Sequence, residues 1–222
     1  MIHEKQAGAA DLLRTLVTTG LVDVAIGLFG LGAAAVWRKK LSGDARDVDP
    51  ELAKKLFADY AKAHPDELAL QAVPRKALER SARGLADNAA FIPQIGMVVG
   101  DGKLLERPAI VAHELGHARR HAEGRLSSRA YAASNVAGVA ARAAASLAGR
   151  PDLAWAAALF DVLPLYEEWR ASGYAKDVLA KAMSPEDAAR ASRLLNDAFK
   201  TYLATSAASS AAAAFMARVF KK

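Results

Sequence analysis

The chain has 222 residues and a net charge of +6, with 53% apolar and 24% charged residues. This balance fits one domain with a sizeable core plus an appendage, and it excludes a wholly embedded multi-pass membrane protein. The chain has no cysteine, which excludes disulfides and thiolate metal ligands. The positive charge permits contact with anionic lipid. No nucleic-acid motif or aromatic-interleaved basic patch occurs, so nucleic acid is not an expected partner.

Residues 15–37 form the longest apolar run, and Asp23 is its only charge. A run of this length predicts a transmembrane helix, because about 20 apolar residues cross the hydrocarbon core of a bilayer. Trp37 suits the membrane interface and basic residues 38–40 follow it, which predicts a single-pass anchor with the catalytic part in the cytoplasm. Two alternatives remain: residues 33–35 offer a signal-peptide cleavage site, or the run is a buried helix of a soluble protein.

The segment 1–40 is followed by a polar linker, residues 41–49, and by a second domain, residues 50–222. Asp49-Pro50-Glu51 is typical of a helix start, because Asp caps the first N–H groups and Pro is tolerated in the first turn. We expect this helix to end near Ala63.

The later elements are mainly helical. Short strands are predicted at 68–73 and 96–99, with a basic helix at 75–83 between them. Alanine-rich residues 127–148 and apolar residues 152–163 predict two helices joined by a turn. A last long helix opens at residues 184–187. Its end, residues 202–216, is uncharged but mostly Ala and Ser, which favours core packing over membrane insertion.

His113-Glu114-Leu115-Gly116-His117 is an HExxH motif that follows the apolar residues 110–112. Residues four apart share one face of a helix, so both imidazoles can bind one ion, and imidazole is a common Zn²⁺ ligand. Glu114 is placed to accept a proton from an attacking water instead of binding the metal. The alternative is a pair of histidines on an exposed helix without a ligand.

A zinc hydrolase needs a third protein ligand. Arg120 and Glu123 replace the Gly and His of the extended HExxHxxGxxH motif and exclude that class. His121 continues the i+4 row, but the row drifts around the helix, so we interpret His121 as solvated or as a neighbour of a ligand. The better candidates are Glu167 and Glu168, two acids in an apolar, aromatic segment.

These motifs together resemble the membrane-associated zinc metallopeptidases of the HtpX/CAAX-prenyl-protease family. The resemblance is carried by Asn88-Ala89 with Pro93 and Gly96-x-Val98-Val99, by the HELGH helix, and by Glu168-x-x-Ala171-Ser172. The Ala-Ser variant and the C-terminal Leu195-Asn196-x-Ala198-x-x-Thr201-Tyr202 are more similar to the YugP-type neutral zinc metallopeptidases. The similar region spans about residues 86–205.

The resemblance implies a mostly α (α+β) fold, with a zincin-like metallopeptidase core, a small β-sheet and an N-terminal membrane-anchor helix. It implies Glu168 as third zinc ligand and Glu114 as base. In related folds an edge strand near residues 96–99 pairs with the substrate backbone, which implies substrate contacts at Asn88, Ala89, Met97 and Val98. The alternative is that the strand near residues 96–99 is only a core strand and does not bind the substrate.

Three other features of the resemblance remain open. Ser172 stands where related families have an Asp that orients a metal-binding His. Either another acid such as Asp161 takes that role, or the metal-binding His is oriented differently in this chain. The candidates for stabilising the oxyanion are Tyr166, Tyr174 and Arg170. In YugP-like proteins the stretch 131–163 crosses the membrane as a hairpin. Here arginines, among them Arg142, interrupt it, so we expect a hairpin that packs on the catalytic helix or lies shallowly in the membrane.

The sequence thus predicts a zinc-dependent metalloendopeptidase at or near a membrane. Its expected partners are a peptide or protein substrate and membrane lipid, and the lipid contact would be made by residues 15–37. The sequence does not decide whether the chain forms a homo-oligomer. The alternative is a catalytically idle structural or interaction protein of a membrane or virion assembly. An intact Glu114 favours the enzyme, because no folding requirement preserves a glutamate beside two buried histidines.

Overall fold

A computed structural model describes residues 48–64, 69–72, 89–92, 97–100, 102–124 and 128–220. These residues are mostly helical, as the sequence predicts. The predicted anchor at 15–37, the predicted basic helix at 75–83 and the predicted substrate contact Asn88 lie outside them.

The chain divides into two compact units. We call the described parts of Val36–Ala132 and Leu163–Thr201 the sheet unit, because they contain all the described strands. We call Ala133–Val162 together with residues 202–220 the alanine-rich unit.

The sheet unit contains three short strands, β1 (Ala69–Ala72), β2 (Ala90–Ile92) and β3 (Met97–Gly100). β3 lies in the middle, parallel to β1 and antiparallel to β2. The strand predicted at 96–99 is therefore the central strand of the described sheet, and β2 is an outer strand. Both backbone edges of β3 are paired, which leaves no edge there for a substrate strand.

Helix α1 (Pro50–Ala63) has the bounds that the sequence predicts. The Asp49 side chain caps it by accepting a hydrogen bond from the Leu52 N–H, 3.0 Å away. Leu56 and Tyr60, one turn apart, are both buried in the core. The apolar face of α1 packs against helix α3.

A short helix α2 (Gly102–Leu105) leads into α3 (Pro108–Ala122), which carries the HExxH motif. Pro108 occupies the first turn of α3, where its missing N–H has no intrahelical acceptor to lose. Val111 and Leu115 are almost fully buried, and α3 packs on strands β2 and β3 as well as on α1. The motif therefore sits on a helix fixed by a continuous apolar core.

Two further helices complete the sheet unit, α6 (Val162–Ala182) and the first part of α7 (Pro185–Phe220). Leu179 of α6 and Leu195 of α7 join the same core as Leu115. Ser184 caps α7, since its Oγ accepts the Asp187 N–H at 3.2 Å. α7 thus begins where the sequence predicts.

The alanine-rich unit consists of most of α4 (Ser128–Leu147), helix α5 (Pro151–Ala156), a 3₁₀ helix (Ala157–Asp161) and the end of α7. Residues 152–163 are helical as predicted, but not as one α-helix: α5 ends at Ala156, a 3₁₀ helix follows, and α6 begins at Val162. Here small side chains meet in the core, in a cluster of Ala145, Ala154, Ala213 and Ala214.

Helix α7 is the one helix in the described part of the chain that is long and apolar enough to cross a membrane. Its 36 residues meet that criterion by length and composition, which core helices of soluble proteins also meet.

Candidate metal centre

Two helices bring the three predicted metal ligands together. His113 and His117 lie one turn apart on α3, and Glu168 faces them from α6. His113 Nε2 lies 3.3 Å from His117 Nε2 and 3.1 Å from Glu168 Oε2. His117 Nε2 lies 3.6 Å from Glu168 Oε1. These are the described side chains whose grouping could hold a metal ion.

The spacing of these atoms fits a tetrahedral metal site. Zn²⁺ binds imidazole nitrogen and carboxylate oxygen at about 2.0–2.1 Å, which places tetrahedral ligands about 3.3 Å apart. The observed separations of 3.1, 3.3 and 3.6 Å lie within a few tenths of an ångström of that value. Two imidazoles and one carboxylate also leave a fourth position for a small molecule, as catalytic zinc sites do. The residues present therefore fit a divalent metal ion.

Gly116 allows the two helices to approach closely at this point. A Cβ atom at Gly116 would lie 2.7 Å from the carbonyl oxygen of Ala171 and 2.8 Å from its Cα. No side chain fits in that space without moving the backbone. The glycine of the HELGH sequence thus sets the distance across which the α3 histidines meet Glu168.

Ser172 occupies the position from which a neighbouring residue can orient His113. Its Oγ lies 3.2 Å from His113 Nδ1, on the ring atom that does not face Glu168. A hydrogen bond at this nitrogen fixes the tautomer and leaves Nε2 free to bind a metal. Asp161, the alternative considered from sequence, is instead paired with Arg142.

The two adjacent acids of α6 have different environments. Glu167 is 1% exposed and forms a bidentate ion pair with Arg120, with Arg120 Nη2 2.7 Å from Glu167 Oε1. Glu168 faces the histidines. Burial alone would raise the pKa of Glu168, but the hydrogen bonds to His113 and His117 outweigh it and hold the pKa below its ordinary value. Glu168 is therefore an anion, the form that binds a cation.

Glu114 is buried beside the ligands and is held by the sheet. One of its carboxylate oxygens accepts the Phe91 N–H of strand β2 at 2.7 Å. Burial raises the pKa of Glu114 to about 7, and the neighbouring Glu168 adds to the rise. His113 and the Phe91 N–H act in the opposite direction. The carboxylate is thus fixed in orientation and separate from the three ligands.

Two of the four predicted substrate contacts have a described burial. Ala89 and Val98 are buried, at 2% and 0% exposure, and both belong to the core cluster. The contact between the sheet and Glu114 comes from Phe91, a residue that was not predicted from sequence. The apolar run Ala90–Ile92 before Pro93 was the available signal for a strand there.

The three candidates for oxyanion stabilisation each contact a neighbouring aromatic ring or guanidinium in the sheet unit. None of Tyr166, Tyr174 and Arg170 forms a hydrogen bond with the ligand side chains in the part of the chain that the structure describes. Tyr174 lies under the Arg119 guanidinium, 5.1 Å from ring centroid to Cζ, and Arg170 lies beside the Trp169 ring. Arg170 and Tyr174 line a pocket of about 350 Å³ together with these neighbours.

His121 does not join the ligand group, as expected from the helical drift. Its ring lies 5.9 Å from that of Phe91, centroid to centroid. Its Nδ1 is buried and has no hydrogen-bond partner among the described residues.

The described structure thus groups two imidazoles and a carboxylate that could hold a metal ion, those of His113, His117 and Glu168. The Glu114 carboxylate lies beside them and accepts the Phe91 N–H. Comparisons of the chain with protein-family profiles, with curated proteins and with solved structures found no match. Chemically, the site offers nitrogen and oxygen ligands for a divalent cation and a fixed carboxylate that can exchange a proton.

Proposed function

We propose that this chain is a zinc-dependent metallopeptidase that hydrolyses peptide bonds with His113, His117 and Glu168 as metal ligands. The observation that carries the proposal is the set of ligand separations, 3.1 to 3.6 Å, between side chains that a tetrahedral Zn²⁺ would hold about 3.3 Å apart. The resemblance of the motifs to the YugP-type metallopeptidases supports the same assignment and a zincin-like core.

The proposed chemistry divides between the metal and Glu114. Bound zinc would supply a Lewis acid that makes water nucleophilic near neutral pH. Glu114 would accept the proton of the attacking water and then transfer it to the leaving amine. The Phe91 N–H holds the Glu114 carboxylate beside the ligands, so the base needs no reorientation before it acts.

We propose further that the substrate backbone pairs with β2 and not with β3. β2 is an outer strand of the described sheet, and its Phe91 contacts Glu114 directly. An extended peptide added to β2 would therefore pass close to the base and the ligands. The membrane assignment through residues 15–37, with the catalytic part in the cytoplasm, belongs to the same proposal and follows from the basic residues 38–40.

The Glu114→Gln variant tests the proposed role of Glu114. The substitution keeps a carbonyl oxygen that can accept the Phe91 N–H but removes the proton acceptor. We expect peptidase activity on a quenched fluorescent peptide library to fall by about 100-fold or more, while bound zinc stays unchanged. Glu123→Gln is the matched control, because it removes a carboxylate from the end of the same helix, where the side chain pairs with Arg119.

Two outcomes would contradict the proposal. Activity that survives Glu114→Gln would show that another group is the base. Wild-type protein that binds zinc but cleaves no member of the library would favour the alternative, a structural or interaction protein that retains the site without using it.

A further inference from the structure

The pocket of about 350 Å³ in the sheet unit is formed by residues of two helices, α3 and α6. Three arginines line it, Arg119, Arg120 and Arg170, together with the aromatic residues Trp169 and Tyr174. Its volume lies at the lower end of the range of ligand pockets, which suits a small group such as a side chain of a bound peptide.

Two of the three arginines are already paired with acids of the same chain. Arg120 forms its bidentate ion pair with the buried Glu167, and Arg119 Nε donates to Glu123 at 2.7 Å. Arg170 has no acidic partner among the described residues. Arg170 is therefore the cation of this pocket whose charge no described ion pair balances.

The aromatic rings hold guanidinium groups by their faces. Arg170 Cζ lies 5.9 Å from the centroid of the Trp169 ring, and Arg119 Cζ lies 5.1 Å from that of Tyr174. A guanidinium stacked in this way keeps its N–H edges available, and that fork of donors matches the two oxygens of a carboxylate. Trp169 is 53% exposed, so part of its ring is open to a ligand.

Two acids on the same pocket limit how much negative charge it can accept. Glu123 and Asp177 both line it, and Asp177 lies seven residues after Arg170, about 10 Å further along α6. A phosphate group carries a charge of about −1.5 to −2 and would be repelled by both acids more strongly than a carboxylate. The charge distribution therefore favours a single carboxylate as the anion.

We infer that this pocket binds an acidic side chain of a peptide, with the carboxylate on Arg170 and the neighbouring part of the peptide against Trp169 and Tyr174. Gly173 leaves room for the ligand, because a Cβ atom there would meet nothing within 4 Å. This assignment gives Arg170 a role in binding instead of in stabilising an oxyanion. The inference concerns binding alone and does not depend on the metal site or on hydrolysis.

Fluorescence anisotropy with two matched peptides tests the inference. Both are capped glycine–serine peptides with a neutral fluorophore, and one carries two central glutamates where the other carries two glutamines. The full chain with Glu114→Gln is used throughout, so that no peptide is cleaved during the measurement. We expect the glutamate peptide to bind about 10-fold more tightly than the glutamine peptide, the effect of one charge-assisted contact.

Three variants in the same background separate a contact in the pocket from general attraction by a basic protein. Arg170→Gln should remove the preference for the glutamate peptide. Gly173→Leu keeps every charge and a good helix former but fills the pocket, so it should weaken binding of the glutamate peptide about as much. Lys181→Gln is the matched control, because it removes the same charge from an exposed position near the end of α6 and should change nothing.

Three outcomes would overturn the inference. The first is equal binding of the two peptides. The second is equal loss in Arg170→Gln and Lys181→Gln, which would show unspecific charge attraction. The third is displacement of the glutamate peptide by inorganic phosphate at concentrations where acetate has no effect, which would assign the pocket to phosphate. Circular dichroism of each variant verifies its fold.

Discussion

The sheet unit and the alanine-rich unit are built by opposite rules. The sheet unit buries large apolar side chains such as Val98, Leu115 and Leu179, and exposes charged ones on α1 such as Glu51 and Lys54. The alanine-rich unit packs alanine inside and exposes Leu159 and Phe215. Water favours the burial of large apolar groups, so the sheet unit follows the usual rule and the alanine-rich unit departs from it at Leu159 and Phe215. The contrast teaches that the fraction of apolar residues alone does not reveal which surroundings a helix has.

The described parts of both units nevertheless contain a buried arginine paired with an acid. Arg120 pairs with Glu167 in the sheet unit, and Arg142 pairs with Asp161 in the alanine-rich unit. Removing one member of such a pair leaves a buried charge without a partner. The resulting loss of folding free energy is larger than the net stabilisation that the intact pair provides. The pairs therefore give the largest expected effects and a direct way to compare the units.

Glu167→Gln and Asp161→Asn should each lower the free energy of unfolding by about 3–5 kcal/mol, because each leaves a buried guanidinium unpaired. Chemical denaturation in detergent micelles, monitored by circular dichroism, measures the free energy of unfolding of both variants. Replacing both members of the alanine-rich pair by leucine should recover most of the loss. A single variant that unfolds like the wild type would show that its arginine is solvated, contrary to the structure.

The helix crossing at the metal site should be the next most sensitive feature. Gly116→Ala places a Cβ against the Ala171 backbone and should lower stability by about 1–3 kcal/mol through overpacking, and weaken metal binding as α3 moves from Glu168. Gly173→Ala is the matched control, because nothing lies within 4 Å of a Cβ there, and it should stabilise α6 by about 0.5–1 kcal/mol. Equal effects of the two substitutions would contradict a close crossing.

The smallest expected effect is that of Ser172→Ala. The variant removes the group 3.2 Å from His113 Nδ1 but keeps all three ligands. Zinc affinity, measured by competition with a chelator, should fall about 10-fold, the lower end of the effect of residues that orient a ligand. Unchanged affinity would show that the Ser172 hydroxyl does not orient the imidazole.

Local features of the fold were predictable from sequence because they depend on neighbouring residues. Asp49 and Pro50 marked the start of α1, and the HExxH spacing placed His113 and His117 on one helix face. Glu168 was chosen over Glu167 by resemblance to a family motif, and the structure brings it to the histidines.

The features that were missed depend on contacts between distant segments. The central position of β3 requires β1, more than twenty residues earlier in the chain, to pair with it, and no local pattern records that pairing. The burial of Arg142 was not predicted because its partner Asp161 lies 19 residues away. Glu114 and Phe91, 23 residues apart, meet only because α3 packs on the sheet.

The central claim is that His113, His117 and Glu168 hold one metal ion. Mass-spectrometric metal analysis of the purified full chain tests it most directly, with His117→Ala and Glu168→Gln compared with Glu167→Gln and Glu114→Gln. We predict about one zinc per chain in the wild type, loss of zinc in the first two variants and retention in the other two. The same zinc content in His117→Ala and Glu168→Gln as in the wild type would contradict the account.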